Sequence, residues 1–155
     1  MNRIIARLPE SVTELCLVRL GMQVRRLSGW LPAARLRRAI DRAAAGAIAN
    51  DAGLLHSERL VLGRGHFGVL QYWRSFDELE AWSHRPPHAD WWRAAVERWR
   101  TRDDLGIYHE IFLVPRARLE AISMNCLPTG LAAFGTTAEP LGPDTNSRGR
   151  LGLTR

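Results

Sequence analysis

The chain has no lysine: all 22 of its Lys+Arg residues are arginine. Without lysine there is no Schiff-base nucleophile, no pyridoxal-phosphate anchor and no phosphate-loop lysine. Cysteine is scarce as well. Cys16 and Cys126 lie far apart, and neither belongs to a Cys-x-x-Cys pair, which excludes zinc-ribbon and dithiol-redox sites. Each sits in an apolar run and reads as a small buried hydrophobe. No apolar stretch reaches the ~18 residues of a membrane-spanning helix. Residues 1–7 carry two arginines but no apolar core follows them, so no secretory leader is expected. A cytoplasmic protein with no membrane partner follows as the expectation.

What is present is an ordinary globular composition. The 155 residues are 46% hydrophobic and 25% charged, which fits one domain with a real core. The expectation is a single domain over 1–155, with a core over about 14–127 and an irregular tail over about 128–155. The formal net charge is +6. Its one dense basic patch, Arg35, Arg37, Arg38 and Arg42, lacks interleaved aromatics and any recognised motif, so nucleic acid is not expected as a partner.

Along the chain, residues 14–22 read as a buried strand ended by Gly21. Trp30-Leu31-Pro32 opens a helix that reaches about residue 50, with Leu36, Ile40, Ala44, Ala47 and Ile48 as its apolar stripe. Runs 54–62 and 66–73 read as a hairpin around Gly63-Arg64-Gly65. The pattern Gly63-x-Gly65-x-x-Gly68 formally matches a dinucleotide fingerprint. It lies between two strands, with no helix N-terminus to hold a pyrophosphate, and is set aside. Ser75 and Glu78 form a capping box for a helix to about residue 83. Pro86-Pro87 breaks it, and a second helical piece covers about 90–100 with Trp92, Ala95, Val96 and Trp99 on one face. Residues 105–114 form another strand, and 119–127 a further strand. The tail is expected to be ordered at least to Phe134, because Leu127, Leu131 and Phe134 need cover.

The order strand, helix, strand, strand, helix, strand is the split βαβ plan. The fold class is therefore α+β, ferredoxin-like, with helices on one sheet face. The other, apolar face calls for a homodimer in which two sheets close into a dimeric α/β barrel.

Several motifs resemble a known family. They are Leu20-Gly21-Met22, Trp30-Leu31-Pro32, Gln71-Tyr72-Trp73-Arg74-Ser75-Phe76 and Gly106-Ile107-Tyr108-His109-Glu110. Asn125 with Pro128, Gly130 and Leu131, and then Arg148-Gly149-Arg150-Leu151, continue the match over about residues 14–151. Together they resemble small bacterial proteins labelled "monooxygenase family" in the dimeric α/β-barrel superfamily. That family is similar at a distance to haem-dependent phenylacetaldoxime dehydratases and to cofactor-free quinone-forming monooxygenases. The resemblance implies an oxidoreductase of monooxygenase type acting on a small apolar or aromatic molecule, with a haem-dependent aldoxime-dehydratase-like lyase as the alternative. A non-catalytic small-ligand-binding dimer is the third reading. The cofactor is either haem or none.

Strand alternation ranks the residues that would carry such chemistry. His109 shares a face with Ile107, Ile111 and Leu113, while Glu110 faces the other way. His109 is either a core histidine satisfied by its neighbours, or a haem ligand or general acid/base in a dry pocket. It is the first choice for haem iron, the metal in question, with His66 second. Without haem, His109 abstracts a substrate proton while Arg74 or Asn125 stabilises the developing anion. Gln71, Tyr72, Trp73 and Trp30 are the expected substrate contacts. Gly68 leaves room for a planar ligand or another backbone, or marks a bulge. His84 and His88 flank the proline pair and read as a solvated loop. Trp82, Trp92 and Trp99 read as core.

Overall fold

A computed structural model of the chain describes residues 2–153. It resolves into two compact units, one of residues 16–112 and one made of 1–15 with 113–155.

The unit 16–112 carries the ferredoxin-like plan. Its elements are β2 (Glu14–Val24, entering from the other unit), α1 (Trp30–Ala49), β3 (Leu54–Gly63), β4 (His66–Trp73), α2 (Phe76–Ser83), α3 (His88–Trp99) and β5 (Leu105–Pro115, leaving into the other unit). The sheet order is β3-β4-β2-β5. β4 runs antiparallel to both neighbours, with Val18 opposite Gln71, Gly21 opposite Gly68 and Ser57 opposite Gln71. The first two strands of this unit are thus split by the third, as the sequence order implies.

Local chemistry explains the elements. α1 is rich in alanine, the strongest helix former, and buries Ala33, Ile40, Ala44 and Ala47. The buried stripe therefore begins at Ala33, and Ile48, expected within it, is exposed. The β3–β4 connection is a tight turn at Arg64-Gly65, where Gly65 has φ +72°. The three glycines of the apparent fingerprint lie in this hairpin and its strands. Ser75 caps α2, its Oγ accepting from the Glu78 N–H at 3.2 Å.

Two packed clusters join sheet to helices. One gathers Cys16, Val18, Ala44, Ala47, Leu54, Trp73 and Leu79, with Trp82 against it. The other gathers Met22, Ala33, Ile40, Val69 and Leu105. Gly68 marks neither a bulge nor a ligand seat. A Cβ there would sit 2.6 Å from the Leu20 carbonyl oxygen, so the close approach is that of the neighbouring strand's backbone. The register shifts fall instead between Leu54 and His56 and between Val61 and Gly63.

The second unit is built on β1 (Arg3–Arg7), β6 (Ala121–Met124) and β7 (Thr136–Ala138), in the order β6-β1-β7. β6 is the core of the strand expected over 119–127; β1 and β7 have no counterpart in the sequence reading. Ile5, Ala6, Leu8, Val12, Leu15 and Leu131 are its buried apolar residues among those described. The tail has elements well past Phe134, ending in the short α4 (Ser147–Arg150). The guanidinium of Arg150 pairs with Glu120, whose carboxyl is held below its ordinary range mainly by that hydrogen bond. Leu131 is covered as expected, but Leu127 is 87% exposed.

Candidate active site

The helix-covered face of the sheet bears a cavity of about 790 Å³ within the unit 16–112. Its floor is Val18 and Leu20 of β2, Gln71 of β4, and Ile107, His109 and Ile111 of β5. Its walls are Leu36 and Ile40 of α1, Leu79 and Trp82 of α2, and one face of α3. The lining is mostly apolar, and its charged members, Glu80, Arg93, Glu97 and Arg100, are solvent-exposed.

His109 stands on this floor. Its ring stacks on Trp92 of α3, with centroids 6.3 Å apart and planes 18° from parallel. It is solvent-exposed, and among the described residues no side chain or backbone group hydrogen-bonds it. The core-histidine reading of His109 is thereby corrected: the ring is an uncommitted imidazole on a cavity wall.

Gln71 is the other polar group of the floor and is only 7% exposed. Its Oε1 accepts from the Trp73 indole N–H at 3.2 Å. Trp73 itself is fully buried in the core and does not line the cavity.

α3 contributes what the sequence reading missed. The helix begins at His88, so His88, Trp92 and Val96 stand one turn apart on one face, and all three line the cavity. The Nδ1–H of His88 donates to the Ser83 carbonyl at 2.9 Å, and its ring lies 5.1 Å from that of Trp82. Because a carbonyl only accepts, this bond leaves Nε2 as the lone-pair nitrogen of the neutral ring. His88 is thus an ordered member of the site rather than part of a solvated loop. The signal was the i, i+4, i+8 spacing behind a proline pair. Trp92, expected as core, is 51% exposed. Trp99 is half-buried, edge-on to Trp92, with its indole N–H on the Leu105 carbonyl.

The remaining sequence candidates stand elsewhere. His66 shares a 2.8 Å hydrogen bond with the Tyr108 hydroxyl on the face away from the helices, where that ring lies across Gly21. Arg19 and Glu110 pair beside them at 2.7 Å. Tyr72 packs on His56 on the same face, and its hydroxyl pKa is raised by burial and by nearby Glu58. Trp30 is edge-on to Phe67 at the start of α1, outside the lining. Arg74 is engaged by Glu78 at 3.0 Å and Asp51 at 2.7 Å, and these bonds raise its pKa. Asn125 belongs to the other unit, where its Oδ1 accepts from the Asn2 N–H at 2.8 Å and its φ is +54°. Of the expected set, the cavity brings together His109 and Gln71.

Among the described residues no group of three or more His, Cys, Asp or Glu is placed to hold a metal ion. The donor set would fit haem held through one imidazole. His109 or the Nε2 of His88 would be the ligand, Trp82 and Trp92 the flat walls, and Arg93 and Arg100 the cations for carboxylate substituents.

The family model described as Monooxygenase af470-like matches residues 15–131. The chain belongs to this family. Curated proteins gave no match. Among solved structures, an aldoxime dehydratase in complex with butyraldoxime is similar, with 21% identity and a TM-score of 0.66 over 88% of this chain. Another aldoxime dehydratase has 19% identity and a TM-score of 0.66 over 90% of this chain. The match covers 38% and 39% of their lengths, so the chain spans under two fifths of the dehydratases it resembles. SnoaB, a cofactor-independent oxygenase from Streptomyces nogalater, has 19% identity and a TM-score of 0.43, covering 64% of this chain and 91% of its own. The two dehydratase likenesses, together with the element and strand order, show the α+β, ferredoxin-like fold. No helix among the described residues is long and apolar enough to cross a membrane.

Proposed function

We propose that this protein is a monooxygenase-type oxidoreductase that oxidises a small, flat, largely apolar molecule in the cavity between sheet and helices. The observation that carries the reading is His109, an uncommitted imidazole stacked on Trp92 in a mostly apolar chamber. In such a site an imidazole acts as a general base. It takes the hydroxyl proton of a phenolic ring and leaves an electron-rich anion able to react with dioxygen. One turnover balances as a hydroxylated ring plus O₂ giving a quinone plus water. A ring C–H becomes C=O, and both hydrogens leave on the second oxygen atom.

The test uses 1-naphthol and a panel of related hydroxylated polycycles, with an oxygen electrode and quinone absorbance read together. Equal uptake of oxygen and formation of quinone is the expected result. No uptake with any member of the panel would overturn the oxidation reading.

The second reading is a haem-dependent dehydration like that of aldoxime dehydratases. It is favoured by the lone-pair nitrogen that the Ser83 carbonyl leaves on His88, alongside His109. Haem would supply a redox-active iron on one imidazole, and the chain's own part would be that ligand and the aromatic walls. A Soret band in the purified protein, or on adding hemin, selects this reading.

The protein acts as a homodimer joined through the sheet face away from the helices. On that face Phe112 is 50% exposed. A single domain over the whole chain, both units folding together, goes with it. Light scattering should give twice 17.5 kDa, and a monomer at micromolar concentration would end the dimer claim.

A further inference from the structure

The proposed function leaves one group of the cavity without a task. Gln71 is more than nine-tenths buried, yet it lines the cavity. Its carboxamide orientation is fixed chemically. The Trp73 indole N–H can only donate, so the atom facing it is Oε1 and the amide nitrogen points away. Among the described residues that Nε2 has no partner, and it is not sealed from solvent. A donor that opens on the cavity in this way is completed there by water or by a ligand.

We infer that Gln71 is the specificity anchor of the cavity. Its Nε2–H₂ reads a carbonyl oxygen on the ring system, at the end away from the hydroxyl that faces His109, with Trp73 as the positioning residue that holds the amide donor-side out. The inference rests on the proposed function for its ring-shaped ligand and adds the polar class of that ligand. Geometry supports the pairing with His109. Glu110 bonds Arg19, and Tyr108 lies on Gly21, which sets His109 opposite Leu20 across β2. Gln71 is opposite Val18 on the other side. The two polar groups are therefore separated by two strand spacings and one pleat, on the order of 10 Å. A two- or three-ring ligand spans that distance, with its carbonyl at Gln71 and its hydroxylated edge at His109.

The experiment measures binding alone, in anaerobic buffer, by quenching of tryptophan fluorescence, since Trp82, Trp91 and Trp92 line the cavity. The probes are 1-tetralone, which adds one carbonyl, tetralin, which has no polar atom, and 1-aminotetralin, which is a donor. The native protein should prefer the ketone to the hydrocarbon by about fivefold or more, the worth of one good hydrogen bond. Gln71→Leu should abolish that preference by weakening tetralone alone. Unchanged tetralin affinity then serves as the check on its fold. Gln71→Glu, which replaces the donor by an acceptor, should invert the order in favour of 1-aminotetralin. Trp73→Phe should narrow the ketone preference, because the amide is then free to turn over. No ketone preference in the native protein, no binding of any probe, or an unchanged preference in Gln71→Leu would each overturn the inference. A ketone preference lost in Gln71→Leu, with no turnover of any hydroxylated ring, would instead retain the anchor and discard the oxidation reading.

Discussion

Trp73→Ala is expected to cost more stability than any other single change in the unit 16–112. The indole is 0% exposed and fills the cluster of Cys16, Val18, Ala44, Ala47, Leu54 and Leu79, with Trp82 5.2 Å away across its ring. Truncating a buried tryptophan removes its transfer energy and leaves a void, about 3–5 kcal/mol. The lost N–H also strands the Oε1 of Gln71, adding about 1–3 kcal/mol for a buried acceptor without a partner. Domains are stable by only about 5–15 kcal/mol, so this one substitution removes much of the margin. A drop of about 10 °C or more in thermal midpoint by circular dichroism is the corresponding shift. A midpoint within a few degrees of the native protein would mean that this cluster does not carry the fold.

The same residue shows where the sequence was legible. Strand alternation puts Phe67, Val69, Gln71 and Trp73 on one side of β4, and that side is the helix-covered one. It could not say that Trp73 sits under α2 while Gln71 opens into a chamber, because the split between core and cavity depends on where α3 lies. α3 was the weak point. The proline pair was read as a break, with the helix resuming at Asp90. Proline is tolerated at a helix start, where its missing N–H has no partner to lose, and the helix begins directly after Pro87. That shift of two residues brings His88 onto the face of Trp92 and Val96. The capping box at Ser75, the hairpin at Gly65 and the element order needed only local chemistry and were legible. The three short strands β1, β6 and β7 pair residues more than a hundred positions apart, such as Ile5 with Ile122, and no local pattern announces such a pairing. Asn125 was singled out for chemistry, but its positive φ and its bond to the Asn2 N–H give it a local structural task as well.

His109→Ala carries the largest expected effect on activity, and the site's geometry says why fold and function should separate there. His109 is exposed and gives up no hydrogen bond among the described residues when truncated; only the stack on Trp92 is lost. Aromatic pairs of this kind are worth about 0.5–1.5 kcal/mol, so the thermal midpoint should fall by a few degrees at most. A positioned general base contributes about 10²–10⁴-fold to turnover. Quinone formation from 1-naphthol should therefore drop by that factor in kcat, with KM changed far less, because the apolar walls still hold the ring. His66→Ala is the matched control. It removes a histidine on the opposite face that is bonded to Tyr108, and turnover should stay near native. A rise in KM with kcat preserved would make His109 a wall of the pocket rather than its base. Equal losses in the two variants would show that the cavity on the helix-covered face is not where the reaction occurs.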